Sequence, residues 1–282
     1  MDNGSLSPGL YVLATPIGNL GDITLRALDV LKRVDCVAAE DTRVSGQLLS
    51  ALGIKKPMIS VREHNERQAA EKLIGKIAAG AAVAYVTDAG TPAISDPGAL
   101  LVRAVHEARL NVIPVPGASA VTAALSVAGF APGAWMFVGF LPPKTKARQE
   151  ALLALKPQHC VLVFYEAPHR VRETLADMAA VLGGERRICI ARELTKQFEE
   201  IACMTLAETA AWLDANAWRE KGEFVLMVSG SVEDAADGAE AQRVLEILLE
   251  ELPVKQAAKL ASRISGEKKN LLYDLALKLK DE

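Results

Sequence analysis

Short apolar runs alternate with stretches in which apolar residues recur every three or four positions, and the alternation covers most of the chain. Leu10–Ala14, Val34–Ala39, Met58–Val61, Ala82–Val86 and Asn111–Val115 read as buried strands bounded by turn residues. Between them, Ile23, Ala27, Val30 and Leu31 repeat at helical spacing behind Asp22 as the expected N-cap. Asn65–Ala79 is predicted helical up to Gly80, and Asp96-Pro97 is expected to open a helix reaching about Ala108. Strands alternating with helices predict a mostly parallel sheet covered on both faces. The polar and Gly/Pro clusters follow the strands, at the carboxyl edge where such sheets bind ligands.

From Leu110 to Pro143 the chain has no Asp, Glu, Lys or Arg. Prolines and glycines cut this stretch into short pieces, the longest being Ala118–Ala128. It is therefore expected to be strand, turn, buried helix and strand, with no membrane span. A second α/β unit follows, with strands near Trp135–Phe140, Cys160–Tyr165, Arg187–Ala191, Glu200–Met204 and Glu223–Ser229, and helices at Lys146–Leu155, Pro168–Leu182 and Leu206–Trp218. Ser231–Ala239 reads as a charged linker, and Ala241–Lys280 as wholly helical, with breaks at Pro253 and Gly266. The expected fold class is α/β. Residues 1–118 and 119–233 would form two α/β domains, and residues 240–282 a small helical domain resembling a helix-turn-helix.

Composition agrees with this reading. The chain has 282 residues, 50% hydrophobic, 24% charged and only 5% aromatic, the makeup of helix-on-sheet packing in two domains and a small third. A net charge of −3 excludes binding of nucleic acid through bulk positive charge but leaves room for a local basic patch. Cys36, Cys160, Cys189 and Cys203 lie far apart without Cys-x-x-Cys and are expected to be reduced core thiols in the cytoplasm. The polar first residues lack a basic region, so no signal peptide is expected. His64, His106, His159 and His169 have no ligand spacing, so no metal site is expected, and His64 with Glu66 reads as a surface pair.

The loops carry the candidate chemistry. Thr15-Pro16-Ile17-Gly18-Asn19-Leu20 follows the first strand but has neither a three-glycine dinucleotide pattern nor Gly-Lys-Ser/Thr, which disfavours NAD and ATP. Gly18 allows a close backbone approach. Asp88-Ala89-Gly90-Thr91-Pro92-Ala93-Ile94-Ser95-Asp96-Pro97-Gly98 makes a rigid loop with exposed amides, in which Asp88 and Asp96 could be caps. Pro116-Gly117-Ala118-Ser119-Ala120 repeats the arrangement, with Ser119 as helix cap or ligand contact. Glu40-Asp41-Thr42-Arg43, Tyr165-Glu166-Ala167-Pro168-His169-Arg170 and Arg192-Glu193-Leu194-Thr195-Lys196 each end a strand, and three such clusters on one edge suggest a polar site.

Taken in order, Ala14–Leu20, Ala39–Arg43, Thr87–Pro92, Gly139–Pro142, Phe164–Glu166 with Pro168–Arg170, and Ala191–Lys196 resemble one family. It is the RsmI family of 16S ribosomal RNA cytidine 2′-O-methyltransferases, within the tetrapyrrole-methylase (class III) superfamily. The resemblance runs from about Leu10 to the C-terminus. It implies two α/β domains with S-adenosylmethionine in the cleft between them. Pro16 and Ile17 would lie along the cofactor, and Gly90, Thr91 and Ile94 would match the superfamily's Gly-Asp-Pro loop around its methionine part. Thr91 stands where relatives have Asp, a place Asp88 could take. Ser119 and Ala120 match the pair after the Pro-Gly turn. Glu166, Leu194 and Thr195 match adenosine-side positions, and Gly222 would complete that wall. The resemblance further implies a homodimer acting on 16S rRNA in the small (30S) ribosomal subunit, at a decoding-centre cytidine.

A ribose 2′-hydroxyl is a poor acid, so a base or a cation at the developing alkoxide would help. Glu40, Asp41, Asp88, Glu166 and Glu193 are candidate bases, and Lys196, Arg43 and Arg170 could stabilise charge or hold phosphate. Asp88, Glu166 and Lys196 are taken forward as the catalytic candidates. Pro253–Glu282 holds seven Lys and Arg against four Asp and Glu. Lys255 on its first helix and Lys268-Lys269 at the start of its second suit RNA phosphates, alongside Arg43 and Arg170. A tetrapyrrole methyltransferase is the alternative within the superfamily. A non-enzymatic regulator built on the terminal helices is the alternative outside it.

Overall fold

The computed structural model describes residues 5–62, 65–231 and 235–281. His64 lies outside them. The chain forms two compact units, one of Met1–Leu153 with Val161–Ser229 and one of Ala154–Cys160 with Gly230–Glu282.

The larger unit holds two five-stranded sheets. The first uses β1 (Gly9–Leu13), β2 (Cys36–Ala39), β3 (Met58–Ser60), β4 (Ala82–Val86) and β5 (Val112–Val115), in the order β3-β2-β4-β1-β5. All pairs are parallel, with Leu10 level with Val83 on one side and Val112 on the other. Alternate residues divide between two cores, because successive strand side chains point to opposite faces. Tyr11, Leu13, Val37, Ala39 and Val86 pack with Ala27, Val30 and Leu31 of α1 (Leu25–Arg33) and Leu49 of α2 (Thr42–Ala51). Leu10, Ala38, Val83 and Tyr85 pack with Leu73 and Ile77 of α3 (Glu66–Ala78) and Leu101 and Val105 of α4 (Ala99–Glu107). Burial on both faces is why these strands read as unbroken apolar runs.

Several local expectations change. Thr24, not Asp22, caps α1, its hydroxyl accepting from Ala27 N at 3.1 Å, while Asp22 ends a 3-10 turn capped by Asn19. Helix α2 is not evident from the sequence pattern because only Ser45 and Leu49 of it are buried. Helix α4 begins after Gly98 rather than at Asp96-Pro97. The buried Glu66 carboxylate accepts from Gly98 N at 3.1 Å and Leu101 N at 2.9 Å, so a side chain from α3 does the capping. Glu66 is therefore a buried cap rather than a surface residue.

The second sheet contains β6 (Trp135–Phe140), β7 (Val161–Glu166), β8 (Arg187–Arg192), β9 (Glu200–Thr205) and β10 (Phe224–Val228), ordered β6-β7-β10-β8-β9. Here only β6 and β7 are parallel, and β10 runs antiparallel between β7 and β8. Helix α5 (Ala120–Val127) covers one face, burying Val121 and Ala124 with Val163, Cys189, Ala191, Val225 and Met227. Between α6 (Thr145–Leu155) and α7 (Val171–Leu182), the buried Arg148 bonds Asp177 at 2.5 Å. The helix expected over Leu206–Trp218 is broken into a 3-10 turn, α8 (Thr209–Asp214) and a second 3-10 turn, because the Asn216 side chain accepts from Trp218 N and starts a new element. The uncharged Leu110–Pro143 stretch is β5, α5 and β6. Among the described residues no helix is long and apolar enough to cross a membrane. Cys203, on edge strand β9, is exposed and so is not a core thiol.

The smaller unit is α9 (Ala235–Glu251), α10 (Val254–Ser265) and α11 (Lys269–Asp281) around Leu245, Ala257, Ala258, Ala261 and Leu272. Helix α9 takes up part of the expected linker. Pro253 precedes α10, and Gly266 ends it at φ +78°.

Candidate active site

A cavity of about 320 Å³ lies within the larger unit, at the carboxyl ends of β1, β4 and β5 and the facing edge of the second sheet. From the first half come Ile17, Ala89, Gly90, Thr91, Ile94, Ser95, Asp96, Ser119 and Ala120. From the second come Phe140, Tyr165, Glu166, Ala167, Pro168, Ala191, Leu194, Lys196, Glu223, Phe224 and Val225.

The loops of the first half hold one another in place. Thr15 and Gly90 exchange backbone hydrogen bonds of 2.9 and 3.1 Å, joining the loops after β1 and β4. Gly90 sits at φ +76°, and a Cβ there would approach Ile17 to 3.2 Å. The Thr91 hydroxyl donates to Ala118 O at 3.0 Å, tying in the turn after β5. Thr91 is thus a neutral strut between the two loops. Tyr85 OH donates to Pro97 O at 2.6 Å, so the far end of the loop is fixed as well. Ser119 occupies the N-cap position of α5 but makes no side-chain cap bond, which leaves its hydroxyl for a ligand.

The second half holds strained backbone. Glu193 and Thr195 adopt φ of +51° and +65°, which non-glycine residues rarely do. The loop is over-determined by its contacts. Glu193 N donates to Glu223 O at 2.9 Å, Glu223 N donates to Glu193 Oε1 at 2.9 Å, and Thr195 N donates to Glu199 Oε2 at 2.6 Å. The buried Arg192 guanidinium donates to the carbonyls of Lys221, Phe198 and Trp218 at 2.6 to 2.9 Å. Gly222, at φ +94°, leaves room for the Glu193 carboxylate. Gly18 abuts this loop: a Cβ would lie 2.4 Å from Lys196 Cγ and 3.1 Å from Leu194 O.

The charged groups differ in what they can still do. Glu166 is buried with both oxygens engaged. Oε1 accepts from Ala167 N at 2.8 Å and faces Arg170 Nε at 3.2 Å, and Oε2 accepts from Thr174 Oγ1 at 2.6 Å. That makes it a brace of the wall and not a free base. Arg170 also donates to Leu141 O at 2.6 Å and is half-buried, so its guanidinium is spent inside the fold rather than offered to phosphate. Lys196 Nζ lies 2.9 Å from both Glu193 Oε1 and Glu223 Oε2. Burial would push the Lys196 ammonium down, but the two carboxylates outweigh it and raise it. Burial likewise works against Glu193, whose carboxyl is nevertheless lowered by the Lys196 bond.

Asp88 is exposed, outside the cavity lining, and accepts from Asp41 N at 3.2 Å. Asp41 is held well below the usual carboxylate range by hydrogen bonds from Arg43. Arg43, with 82% of its side chain exposed, keeps an outward face. Glu40 is raised, first by burial and then by Asp96 and Asp88, and Asp96 is raised, first by burial and further by Asp88.

Of the residues picked from sequence, Ile17, Gly90, Thr91, Ile94, Ser119, Ala120, Glu166, Leu194 and Lys196 meet at the cavity. Pro16, Thr195 and Gly222 are not among its lining residues, the last two standing at positive φ in the neighbouring backbone. Lys255, Lys268 and Lys269 are exposed on the smaller unit. Sequence reasoning missed Phe140, Phe224 and Val225 as lining, since strand residues facing a cavity look like strand residues facing a core. Asp96 had been visible only as a cap.

Two family models match the chain: Tetrapyrrole (Corrin/Porphyrin) Methylases over residues 9–210 and the RsmI C-terminal HTH domain over residues 235–280. A protein of Neisseria meningitidis serogroup B named Ribosomal RNA small subunit methyltransferase I is 51% identical over 97% of this chain and 94% of its own. Its namesake in Pseudomonas aeruginosa is 49% identical over 95% and 96%. Among solved structures, uroporphyrin-III C-methyltransferase from Thermus thermophilus complexed with S-adenosyl homocysteine has a TM-score of 0.55 at 17% identity, over 78% of this chain and 97% of that one. The methyltransferase CobJ has a TM-score of 0.58 at 18% identity, over 80% and 95%. These two likenesses speak to the fold alone.

Proposed function

We propose, from the premise that this chain belongs to the ribosomal RNA small subunit methyltransferase I family on the tetrapyrrole-methylase fold, that it methylates the ribose 2′-hydroxyl of a cytidine in the decoding centre of 16S rRNA. It is an S-adenosylmethionine-dependent ribosomal RNA methyltransferase. The cofactor supplies a methyl group on a sulfonium, open to in-line displacement, and the protein's task is alignment and exclusion of water.

The residues present fit such a group. Ile17, Ile94, Leu194 and Phe224 offer apolar walls, Ser119 an uncommitted hydroxyl, and Gly90 a stretch of backbone without a side chain. Thr195 Oγ1 is buried with no partner among the described residues. Ile17, Gly90, Thr91, Ile94, Ser119, Ala120 and Leu194 would hold the cofactor, backed by Pro16, Thr195, Glu166 and Gly222. Lys196, locked between two carboxylates, orients that wall.

The observation that carries the reading is the extent of the likeness to the named relatives. It spans the cavity and the helical unit together, and that unit exposes Lys255, Lys259, Arg263, Lys268, Lys269 and Lys278. These cations suit RNA phosphates and would be idle in a tetrapyrrole methylase. The substrate would be the small (30S) subunit in the cytoplasm, met by a homodimer. The test is methyl transfer from labelled S-adenosylmethionine to small subunits from a strain lacking the protein, to naked 16S RNA and to a precursor tetrapyrrole, followed by nuclease mapping. Label on one cytidine ribose is expected. Label on a base, or on the tetrapyrrole alone, overturns the reading.

A further inference from the structure

Taking a proton from a ribose hydroxyl calls for a base, and the cavity contains three carboxylates: Asp96, Glu166 and Glu223. Glu166 is saturated by Ala167 N, Arg170 and Thr174. Glu223 is 77% exposed and held by Lys196 Nζ at 2.9 Å. Asp96 remains. It is half-buried in the loop after β4, two residues before Gly98, the N-cap of α4, and it does not cap that helix, where Glu66 takes the amides of Gly98 and Leu101. It belongs to no ion pair among the described residues.

We propose that Asp96 is the catalytic base that takes the proton of the ribose hydroxyl, an assignment that rests on the ribose-methylating reading of the site. The O–H bond breaks with its proton passing to a carboxylate oxygen of Asp96. The hydroxyl oxygen forms the new O–CH₃ bond, and the old C–S bond breaks with its electron pair left on sulfur. The sulfonium charge and the carboxylate charge disappear together, and the proton then leaves Asp96 for water.

The groups facing Asp96 favour this role. Asp88 and Glu40 are like charges, and the phenols of Tyr85 and Tyr165 are its other titratable neighbours. Burial, the largest cause, makes Asp96 more basic than an ordinary aspartate, and Asp88 adds to it.

The test compares wild type with Asp96→Asn and Asp88→Asn in three measurements: S-adenosylhomocysteine binding by calorimetry, single-turnover methylation of small subunits against pH, and a carboxyl ¹³C NMR titration of Asp96 in the protein alone. Asp96→Asn is expected to bind within about twofold of wild type, to lose about 10²-fold or more in rate, and to lose the acid limb of the rate profile. Asp88→Asn is expected to move both that limb and the NMR titration to lower pH. An Asp96→Asn rate within about threefold of wild type, or a rate loss matched by lost binding, overturns the proposal. Wild type that labels a base instead of a ribose overturns the substrate reading before any variant is made, so the two failures are told apart.

Discussion

Glu66 and Gly98 are 32 residues apart, and the carboxylate of the first accepts the backbone N–H of the second at 3.1 Å. The same oxygen accepts from Leu101 N at 2.9 Å. Through this contact α3 anchors the C-terminal end of the loop that supplies Gly90, Thr91, Ile94 and Asp96 to the cavity. Replacing Glu66 by Leu leaves two buried amides without a partner, at about 1–3 kcal/mol each. The expected outcome is a clear drop in the denaturant midpoint and weaker S-adenosylhomocysteine binding by calorimetry. Glu66→Gln keeps an acceptor and is expected to recover most of both.

Gly18 touches the loop that holds Lys196. Gly18→Ala places a methyl 2.4 Å from Lys196 Cγ and 3.0 Å from Thr195 Oγ1, so the two loops must part. Cofactor affinity is expected to fall about tenfold, equivalent to about 1.4 kcal/mol, with little change in the melting midpoint. Equilibrium binding alongside thermal unfolding separates the two effects.

Glu40 titrates above its ordinary value, raised by burial and then by Asp96 and Asp88. The folded state therefore holds this proton more tightly than the unfolded chain, and stability falls as pH rises through the Glu40 pKa. Glu40→Gln removes that cost. It is expected to raise the unfolding midpoint near neutral pH and to have no effect below the ordinary carboxylate range, where both states are protonated. Urea unfolding at the two pH values checks the sign.

Cys189 and Cys203 stand opposite each other on β8 and β9, with Sγ atoms 2.7 Å apart. Leu206 N donates to Arg186 O, so 186 and 206 form a hydrogen-bonded pair, and by alternation 189 and 203 form a non-hydrogen-bonded one. There Cα atoms approach to about 4.5 Å, within the range a disulfide spans. Hydrogen peroxide, reacting with both thiols to give one disulfide and two waters, is expected to link them. Peptide mass mapping after oxidation should find Cys189 joined to Cys203, and Cys36 and Cys160 still free.

Lys268 and Lys269 are exposed where α11 begins. Reversing both charges is expected to weaken small-subunit binding about tenfold or more at moderate salt and to flatten its salt dependence. Cofactor affinity should be unchanged. Filter binding across a salt series reads the first two effects and calorimetry the third.

The apolar runs of β1, β2, β4 and β5, the helical spacing of Ala27, Val30 and Leu31, and the breaks at Pro253 and Gly266 follow from local rules of periodicity and backbone geometry. The sequence alone therefore determined the α/β class, the first sheet's strands, the three terminal helices and the loops that meet at the cavity. It could not orient the second sheet. A strand buried on both faces, such as Leu162–Phe164 or Val225–Val228, carries the same apolar run whether its neighbour is parallel or antiparallel. Nor could it sort the carboxylates. Glu66, Glu166 and Asp96 look alike along the chain, and what separates them is which distant groups reach them. Gly98 and Leu101 occupy the first, Thr174 and Arg170 the second, and among the described residues no ion pair reaches the third. Whether a carboxylate is a brace or a base depends on hydrogen bonds between residues far apart in sequence, and those exist only once the chain has folded.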